Sequence, residues 1–204
     1  MYKIIKRIFD FISALLLFVV ISPLFLLLML LVKLKIGSPI FFKQKRTGMG
    51  MKPFYIMKFR SMTEEKDQNG KYLPDSVRLT KLGKFLRATS LDELPELLSI
   101  IKGDMSVIGP RPLPLDYNDF YTEREKKRFE VRGGLIPPEV LYNNTQPTWD
   151  EQLDYEASYA ENVSFLNDVK IMFAVFKGLF SRYSNNYGEY VRPDLDMERG
   201  AVSK

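Results

Sequence analysis

Cysteine and histidine are both missing from this chain of 204 residues. Without cysteine there is no disulfide framework, no thiolate nucleophile and no sulfur-ligated zinc or iron. Without histidine, Ser-His-Asp hydrolysis, Cys-His chemistry and histidine-ligated metal catalysis are excluded as well. Catalysis must therefore rest on Asp, Glu, Lys, Arg, Ser, Thr or Tyr, with a hard, oxygen-binding ion such as magnesium as the fitting metal.

Acidic residues are scarce in the first third of the chain. Residues 1–62 contain eleven lysines and arginines against one acid, Asp10, which gives this part a net charge of +10 and leaves −5 for the rest. A basic end on a mildly acidic body predicts contact with a polyanion. Nucleic acid, anionic lipid and a phosphorylated substrate are the three candidates.

The longest run without a charge covers residues 11–32. A straight helix of that length measures about 33 Å and could cross a bilayer core of about 30 Å. Ser22 and Pro23 lie at its midpoint, however, where proline favours a break. Both flanks are basic, whereas a true span has one poorer side. We therefore expect residues 1–36 to form a re-entrant helix-break-helix, with a kinked single span as the alternative.

The pattern of the remaining residues predicts an α+β fold. In this fold a small β-hairpin and several amphipathic or interfacial helices surround an active site at the cytoplasmic face. Strands are expected at 39–46 and 53–60, and helices at 76–88 and 91–102. Residues 123–132 are expected to be helical and exposed. The broad apolar stripe of residues 165–183 indicates a helix that packs in the core or rests on the membrane. We expect a catalytic domain at the membrane face over residues 37–184 and a loosely ordered C-terminal tail over residues 185–204.

Adjacent acids at Asp92 and Glu93 are the best candidates for chemistry. Ser90 with Glu93 three residues later is also a capping box, which would make both acids ordinary first-turn residues. Pro95 argues against that reading, because it would fall beyond the first turn and forfeit a helical bond. A helix that starts nearer Asp92 would place both acids at its mouth, where free N–H groups favour a phosphate or its metal.

Basic side chains supply candidate phosphate contacts. Alternation along the second predicted strand places Lys58 and Arg60 on one face, where two cations can converge on one anion. Arg111 stands between Pro110 and Pro112, whose fixed φ angles make the loop stiff. A guanidinium presented in this way suits bidentate binding of phosphate. A solvated strand face and an ordinary proline turn are the alternatives.

Several of these segments occur in an order that resembles a known family. They are Lys6-Arg7 with Asp10, Ser22-Pro23, Phe-Lys-Gln-Lys-Arg at 42–46, Lys-Phe-Arg-Ser-Met at 58–62, Arg-Ala-Thr-Ser-Leu-Asp-Glu-Leu-Pro-Glu-Leu at 87–97, Lys-Gly-Asp-Met-Ser at 102–106 and Gly-Pro-Arg-Pro at 109–112. Together they resemble the bacterial monotopic phosphoglycosyl transferases, which initiate capsule, exopolysaccharide and glycoprotein assembly. A weaker match follows at residues 164–171.

The resemblance implies a re-entrant helix on the cytoplasmic face of the bacterial inner membrane, and transfer of a sugar phosphate from a UDP-sugar to polyprenyl phosphate with Mg²⁺. It implies Asp92 as nucleophile and Glu93 as its partner, both near the metal, with Asp168 as a further candidate metal ligand. Membrane lipid and downstream glycosyltransferases are the other expected partners. The basic residues that it places near the phosphates are Lys58, Arg60, Arg87 and Arg111, the last flanked by Pro110 and Pro112.

The chain departs from the family pattern at residues 132–140. Close relatives read Arg-Pro-Gly-Ile-Thr-Gly there, whereas this chain has Arg-Gly-Gly-Leu-Ile-Pro-Pro-Glu-Val. We expect this loop to shape the sugar end of the site, so the sugar cannot be inferred from the family. A non-catalytic peripheral membrane protein that binds anionic lipid is the rival interpretation. Nucleic-acid binding is weaker than either, because most basic residues flank an apolar segment.

Overall fold

The computed structural model describes residues 2–142, 147–181 and 192–200. Helices and strands are both present, as the α+β prediction requires. The helices are α1 (Tyr2–Lys35), α2 (Asp75–Arg78), α3 (Lys81–Ala88), α4 (Glu96–Lys102), α5 (Trp149–Glu161), α6 (Phe165–Ser181) and α7 (Leu195–Gly200), and the strands are β1 (Phe41–Thr47), β2 (Pro53–Phe59), β3 (Met105–Ile108) and β4 (Gly133–Ile136). The predicted hairpin and the helix at 165–183 are confirmed within the described residues.

Two compact units share these elements. The first unit comprises Met1–Asp10, Lys45–Phe54 and Gly103–Lys204, and the second comprises Phe11–Gln44 and Tyr55–Lys102. Helix α1 therefore contributes its first turns to one unit and the rest to the other.

Helix α1 runs without interruption through Pro23. The predicted break at Ser22 and Pro23 is therefore absent from the secondary structure. Proline has no N–H to donate to the carbonyl four residues earlier, which is that of Val19. The Ser22 hydroxyl donates to this same carbonyl at 2.8 Å. Because the orphaned acceptor is satisfied locally, the helix can continue.

In the second unit, the last turns of α1 pack against β2 and α3. Phe25, Leu28 and Val32 of α1 form one buried cluster with Phe59 of β2 and Leu86 of α3. The ring centroids of Phe25 and Phe59 lie 5.0 Å apart. Gly83 of α3 has room only for a hydrogen, because a Cβ there would lie 1.9 Å from the Ser61 carbonyl oxygen. This contact brings α3 onto the end of the hairpin.

The helix predicted at 76–88 is divided into α2 and α3. Thr80 lies between them with an extended backbone, and its hydroxyl accepts from the Gly83 N–H at 2.9 Å. This bond is an N-cap, so it starts a new helix rather than continuing the old one. The helix predicted at 91–102 is likewise shorter: a 3₁₀ turn covers Leu91–Glu93 and α4 begins at Glu96.

In the first unit, β3 and β4 pair in parallel, with Met105 opposite Gly133 and Ile108 opposite Ile136. Neither strand was predicted, nor was α5. The core beside them contains Leu113, Tyr117, Tyr121, Phe129, Trp149, Leu153 and Leu195.

Two sequence expectations are wrong in this unit. Residues 123–132 contain a 3₁₀ helix at Glu125–Glu130 whose Glu125, Arg128 and Phe129 are buried rather than exposed. The tail was expected to be loosely ordered, but residues 195–200 form α7, whose Leu195 is fully buried, while residues 185–191 and 201–204 lie outside the described residues. Arg199 of α7 ion-pairs with Glu125 at 2.7 Å, which ties the helix to the core.

Candidate active site

The turn that carries the two adjacent acids is built by an unusual backbone at Ser90. This residue has a left-handed φ of 55°, and its side chain makes no capping hydrogen bond. The capping box that Ser90 and Glu93 could have formed is therefore absent. Pro95 lies just before the first residue of α4, where its missing N–H costs no helical bond. The helix starts later than either alternative placed it, because Asp92 and Glu93 lie in the 3₁₀ turn Leu91–Glu93 and α4 begins at Glu96.

Lys58 of β2 is the ionic partner of this turn. Its ammonium lies 2.5 Å from a carboxylate oxygen of Glu93 and 3.4 Å from one of Glu96. All three side chains are at least three-quarters buried, and Glu96 is almost completely so. The sequence prediction missed Glu96, although its position three residues after Glu93 places both on one side of a helical turn.

Asp92 lies between these groups, and its carboxyl is partly buried. Burial raises its pKa above the ordinary value and the charge on Glu93 raises it further, while Lys58 and Arg87 lower it. A carboxylate that has lost part of its water shell is a better nucleophile and a better ligand for a cation. The ion pairs of the turn go to Glu93 and Glu96 rather than to Asp92.

The two remaining basic candidates of the second unit differ in exposure. Arg87 at the end of α3 is exposed, and its Nε donates to the Ser61 hydroxyl at 3.0 Å. Arg60 is buried; it donates to the carbonyls of Met62 at 2.9 Å and Pro39 at 3.3 Å. Arg60 also ion-pairs with Glu64 at 3.5 Å, whereas Lys58 pairs with Glu93, so their convergence on one anion stays a prediction.

Pro110, Arg111 and Pro112 lie in the first unit, directly after β3. The loop rests on the glycines of β4: a Cβ on Gly134 would lie 2.1 Å from the Gly109 nitrogen, and one on Gly133 would lie 2.7 Å from Pro112. Gly134 donates its N–H to the Pro110 carbonyl at 2.9 Å. The segment at which the chain departs from its relatives, residues 132–140, therefore packs against the loop that presents Arg111.

Asp168, the third candidate metal ligand, lies in α6 of the first unit and is buried. One of its oxygens accepts from the Tyr2 hydroxyl at 2.6 Å and pairs with Lys6 at 2.9 Å. The other oxygen accepts from the Tyr159 hydroxyl at 2.7 Å. One oxygen thus holds the first turns of α1 to α6, and the other holds α5 to α6.

Asp10 makes a second such connection, which sequence reasoning did not find. It accepts from the Ser106 hydroxyl at 2.6 Å and from the Val107 N–H at 3.2 Å, both in β3. Three sequence motifs, those around Lys6, Ser106 and Asp168, therefore meet at the start of α1. The sequence does not reveal this arrangement, because long-range side-chain bonds leave no periodicity.

A magnesium site can be judged from the donors present. Across residues 2–142, 147–181 and 192–200, no cluster of three or more acidic side chains could hold an ion by itself. Mg²⁺ is usually held by one or two carboxylates together with substrate phosphates. The neighbouring carboxylates of Asp92 and Glu93, the former partly stripped of water, fit this requirement. Asp168 fits it less well because its oxygens already have partners.

Comparison with known proteins identifies the family of the chain. Residues 1–182 match the family model described as bacterial sugar transferase. The chain therefore belongs to the bacterial sugar transferase family, and it is a transferase.

Three relatives illustrate its place in the family. It is 45% identical to the uncharacterized sugar transferase EpsL of Bacillus subtilis, over 83% of this chain and 84% of that one. It is 40% identical to the UDP-glucose:undecaprenyl-phosphate glucose-1-phosphate transferase of Caulobacter vibrioides, over 86% and 70%. It is 35% identical to the exopolysaccharide production protein ExoY of Sinorhizobium fredii, over 82% of each chain.

Proposed function

We propose that this protein transfers a sugar-1-phosphate from a UDP-sugar to polyprenyl phosphate, with undecaprenyl phosphate as the acceptor, and releases UMP. The reaction named for the Caulobacter vibrioides relative supports the substrate classes. The rival, a non-catalytic protein that binds anionic lipid, accounts for the basic N-terminal third but gives no role to the Asp92 turn.

The proposed chemistry has two steps on one phosphorus atom. A carboxylate oxygen of Asp92 attacks the phosphorus that carries the sugar, and the bridging P–O bond breaks so that UMP leaves with its electron pair. The sugar phosphate is then an acyl phosphate on Asp92. In the second step an oxygen of the lipid phosphate attacks the same phosphorus, the bond between that phosphorus and the Asp92 oxygen breaks, and the Asp92 carboxylate leaves with its electron pair. The product is a polyprenyl diphosphate sugar.

The observation that carries this proposal is that the acidic side chains of the Asp92 turn have different contacts. Lys58 forms ion pairs with Glu93 and Glu96, while Asp92 is partly buried in the same turn. Lys58 and Arg87 both stabilise its anionic form. A carboxylate is a suitable nucleophile in a chain without cysteine or histidine, because it is ionised near neutral pH without a separate base.

Magnesium belongs to the same proposal. Asp92 and Glu93 would hold it together with the phosphates of the UDP-sugar, and it would offset the negative charge that develops on the leaving UMP. Arg87 and Lys58 add positive charge on the protein side. Arg111 contributes a planar donor fork for a phosphate.

We further propose that the protein is monotopic on the cytoplasmic face of the inner membrane. The first turns of α1 are bonded to β3 and α6 through Asp10 and Lys6, and its last turns are packed against β2 and α3. The stretch between, residues 11–24, would be only about 21 Å long as a helix, shorter than a bilayer core of about 30 Å. Its large apolar residues are mostly exposed. A bend at Pro23, which proline can introduce without ending a helix, would let the chain enter and leave the membrane at one face.

A screen of UDP-sugars tests the reaction. The membrane-reconstituted protein would be incubated with Mg²⁺ and, in turn, UDP-glucose, UDP-galactose, UDP-GlcNAc and UDP-GalNAc, with and without undecaprenyl phosphate. We expect one or more donors to give UMP together with a lipid-linked sugar diphosphate of the matching mass. Failure of all four donors to give either product would favour the non-catalytic rival. The loop at 132–140 makes the preferred sugar a result of the screen rather than an assumption.

A further inference from the structure

A buried ion pair lies beneath the loop that presents Arg111. Arg128 lies in the 3₁₀ helix Glu125–Glu130, and Glu156 lies in α5. Both are at most 2% exposed, and Arg128 Nη2 lies 2.5 Å from Glu156 Oε2. Taking two charges out of water is expensive, so such a pair gives little net stability compared with apolar residues of the same volume. Its effect on the protein therefore depends on what it holds in place.

The pair holds both polar main-chain groups of Arg111. The Arg111 N–H donates to Glu156 Oε1 at 3.0 Å, and the Arg111 carbonyl accepts from Arg128 Nη2 at 2.5 Å. Each member of the ion pair makes one of these bonds, so the two bonds together fix the position of the Arg111 main chain. The Arg111 side chain, by contrast, is exposed.

Further bonds fix the pair itself. Gln152, one turn before Glu156 on α5, donates to Glu156 Oε1 at 3.2 Å. Arg128 Nη1 donates to the Tyr121 hydroxyl at 3.1 Å, and its guanidinium lies 5.1 Å from the centre of the Phe129 ring. Both members are thus held by their own neighbours and cannot follow Arg111 if the loop shifts.

We propose that Arg128 and Glu156 are positioning residues for Arg111: by gripping its N–H and C=O from the core, they fix the direction in which its guanidinium meets a substrate phosphate. This inference rests on the proposed function, in which Arg111 binds phosphate. Pro110 and Pro112 limit the loop's φ angles, but the ion pair is what fixes the loop's place relative to the core. Preorganised donors of this kind avoid reorganisation when the reaction occurs.

The test replaces the ion pair by an apolar pair, Arg128→Met with Glu156→Leu, which keeps the volume of the core and removes the two grips on Arg111. The matched control is Arg124→Met with Asp154→Leu, which removes an exposed pair, 2.6 Å apart, that joins the same two segments of the chain. Each protein is assayed for kcat, KM and Tm with the best donor from the four UDP-sugars. Both pairs are also combined with Arg111→Ala.

We expect the apolar pair to lower kcat/KM by about 10- to 100-fold, as misplacement of a binding group does, while the surface control stays within about twofold of the parent protein. In the Arg111→Ala background the apolar pair should cause almost no further loss, because the side chain it positions is gone. A purely structural role predicts instead a fall in Tm and losses that multiply in the combined variant.

The outcomes separate the two proposals. If Arg111→Ala alone leaves kcat/KM unchanged, Arg111 has no role in phosphate binding and the positioning proposal falls with it. If Arg111→Ala is impaired but the folded apolar-pair variant is as active as the parent, the positioning proposal alone is overturned. Should the apolar pair fail to fold, Arg128→Lys serves instead: it keeps the charge but loses the fork, and an unchanged kcat/KM would equally overturn the proposal.

Discussion

At the scale of single residues, Lys58 connects the stability of the second unit with its chemistry. Its ammonium holds Glu93 and the buried Glu96, and it stabilises the anionic form of Asp92. Removal of one partner from a largely buried ion pair leaves the other charge uncompensated. The same change would also free Glu93 from its orientation beside Asp92, the proposed nucleophile.

Lys58→Met is therefore expected to lower the free energy of unfolding by about 1–3 kcal/mol, the usual cost of an unpaired buried group. UMP release should fall further than the folded fraction explains, because Asp92 and Glu93 lose their cation. Denaturant unfolding and the UMP assay measure the two effects. Lys52→Met, an exposed lysine on the same hairpin, is the control. Equal behaviour of the two variants would contradict this role for Lys58.

Glu139, in the segment that departs from the family pattern, gives a prediction about pH. Burial, with the nearby charge of Glu156, raises the pKa of its carboxyl to about 8 from an unfolded value of 4.5. Between these two values the folded state holds a proton that the unfolded state lacks. The stability that this proton supplies is full below pH 4.5 and is lost as the pH rises through the folded pKa.

Glu139→Gln should remove that dependence, so its stability relative to the parent protein should rise from pH 5 to about pH 8 and then level off. Denaturant unfolding at several pH values gives the comparison. Glu161→Gln is a suitable control because Lys127 lowers the pKa of that exposed carboxyl, which moves its titration toward acid. A constant difference between Glu139→Gln and the parent across this range would show that Glu139 is ionised throughout.

At the scale of secondary-structure elements, the sequence predicted those parts of the fold whose signal is local. The uncharged run identified α1, alternation and a turn identified the hairpin, and the apolar stripe identified α6. Strands β3 and β4 could not be found in this way. Each has four residues, they pair across more than twenty residues of sequence, and β4 begins with two glycines.

The residues of the candidate site likewise divide into those with a local sequence signal and those without one. Asp92, Glu93 and Lys58 were predicted because adjacent acids and strand cations are visible in the sequence, and the structure brings them together. Arg128 and Glu156 were missed because charged residues in a charged helix predict exposure, whereas these two are buried as a pair. The capping-box alternative could be rejected only from the structure, because the decision depends on the φ angle of Ser90.

Gly134 gives the element-scale prediction, because the close approach of β4 to the Gly109 backbone needs a residue without a side chain. A Cβ there would lie 2.1 Å from the Gly109 nitrogen, which cannot move without disturbing the loop before Arg111. Gly134→Ala should cost about 3 kcal/mol or more, as severe overpacking does. Gly178→Ala in α6 meets open space and should stabilise by about 0.5–1 kcal/mol. Thermal unfolding compares them, and similar Tm values would contradict the packing.

At the scale of the whole molecule, each end of α1 belongs to a different unit and is held by side chains of that unit. Asp10 and Lys6 bind the start of the helix, and the cluster around Phe59 and Leu86 holds its end. Within the described residues, α1 is the one helix long and apolar enough to cross a membrane. The proposal that it enters the bilayer without crossing it requires both of its ends to lie on the cytoplasmic side.

Cysteine labelling can test this topology cleanly because the chain has no native cysteine. We expect Lys3→Cys and Lys45→Cys to react with a membrane-impermeant maleimide only in inverted vesicles, which expose the cytoplasmic face. Lys66→Cys, at an exposed position far from α1 in sequence, reports vesicle orientation. Reaction of Lys3→Cys in right-side-out cells, with Lys45→Cys protected, would establish a single span instead.

The measurement that tests the central claim most directly is the rate of UMP release by Asp92→Asn beside that of the parent protein. The amide nearly preserves the size of the side chain but cannot attack phosphorus, so the account predicts a residual rate below about 1% of the parent's, in a protein with unchanged Tm and membrane association. Mass spectrometry should also find a sugar phosphate on the Asp92 peptide of the parent protein when no lipid acceptor is present. A folded Asp92→Asn protein with a near-normal rate would contradict Asp92 as the nucleophile.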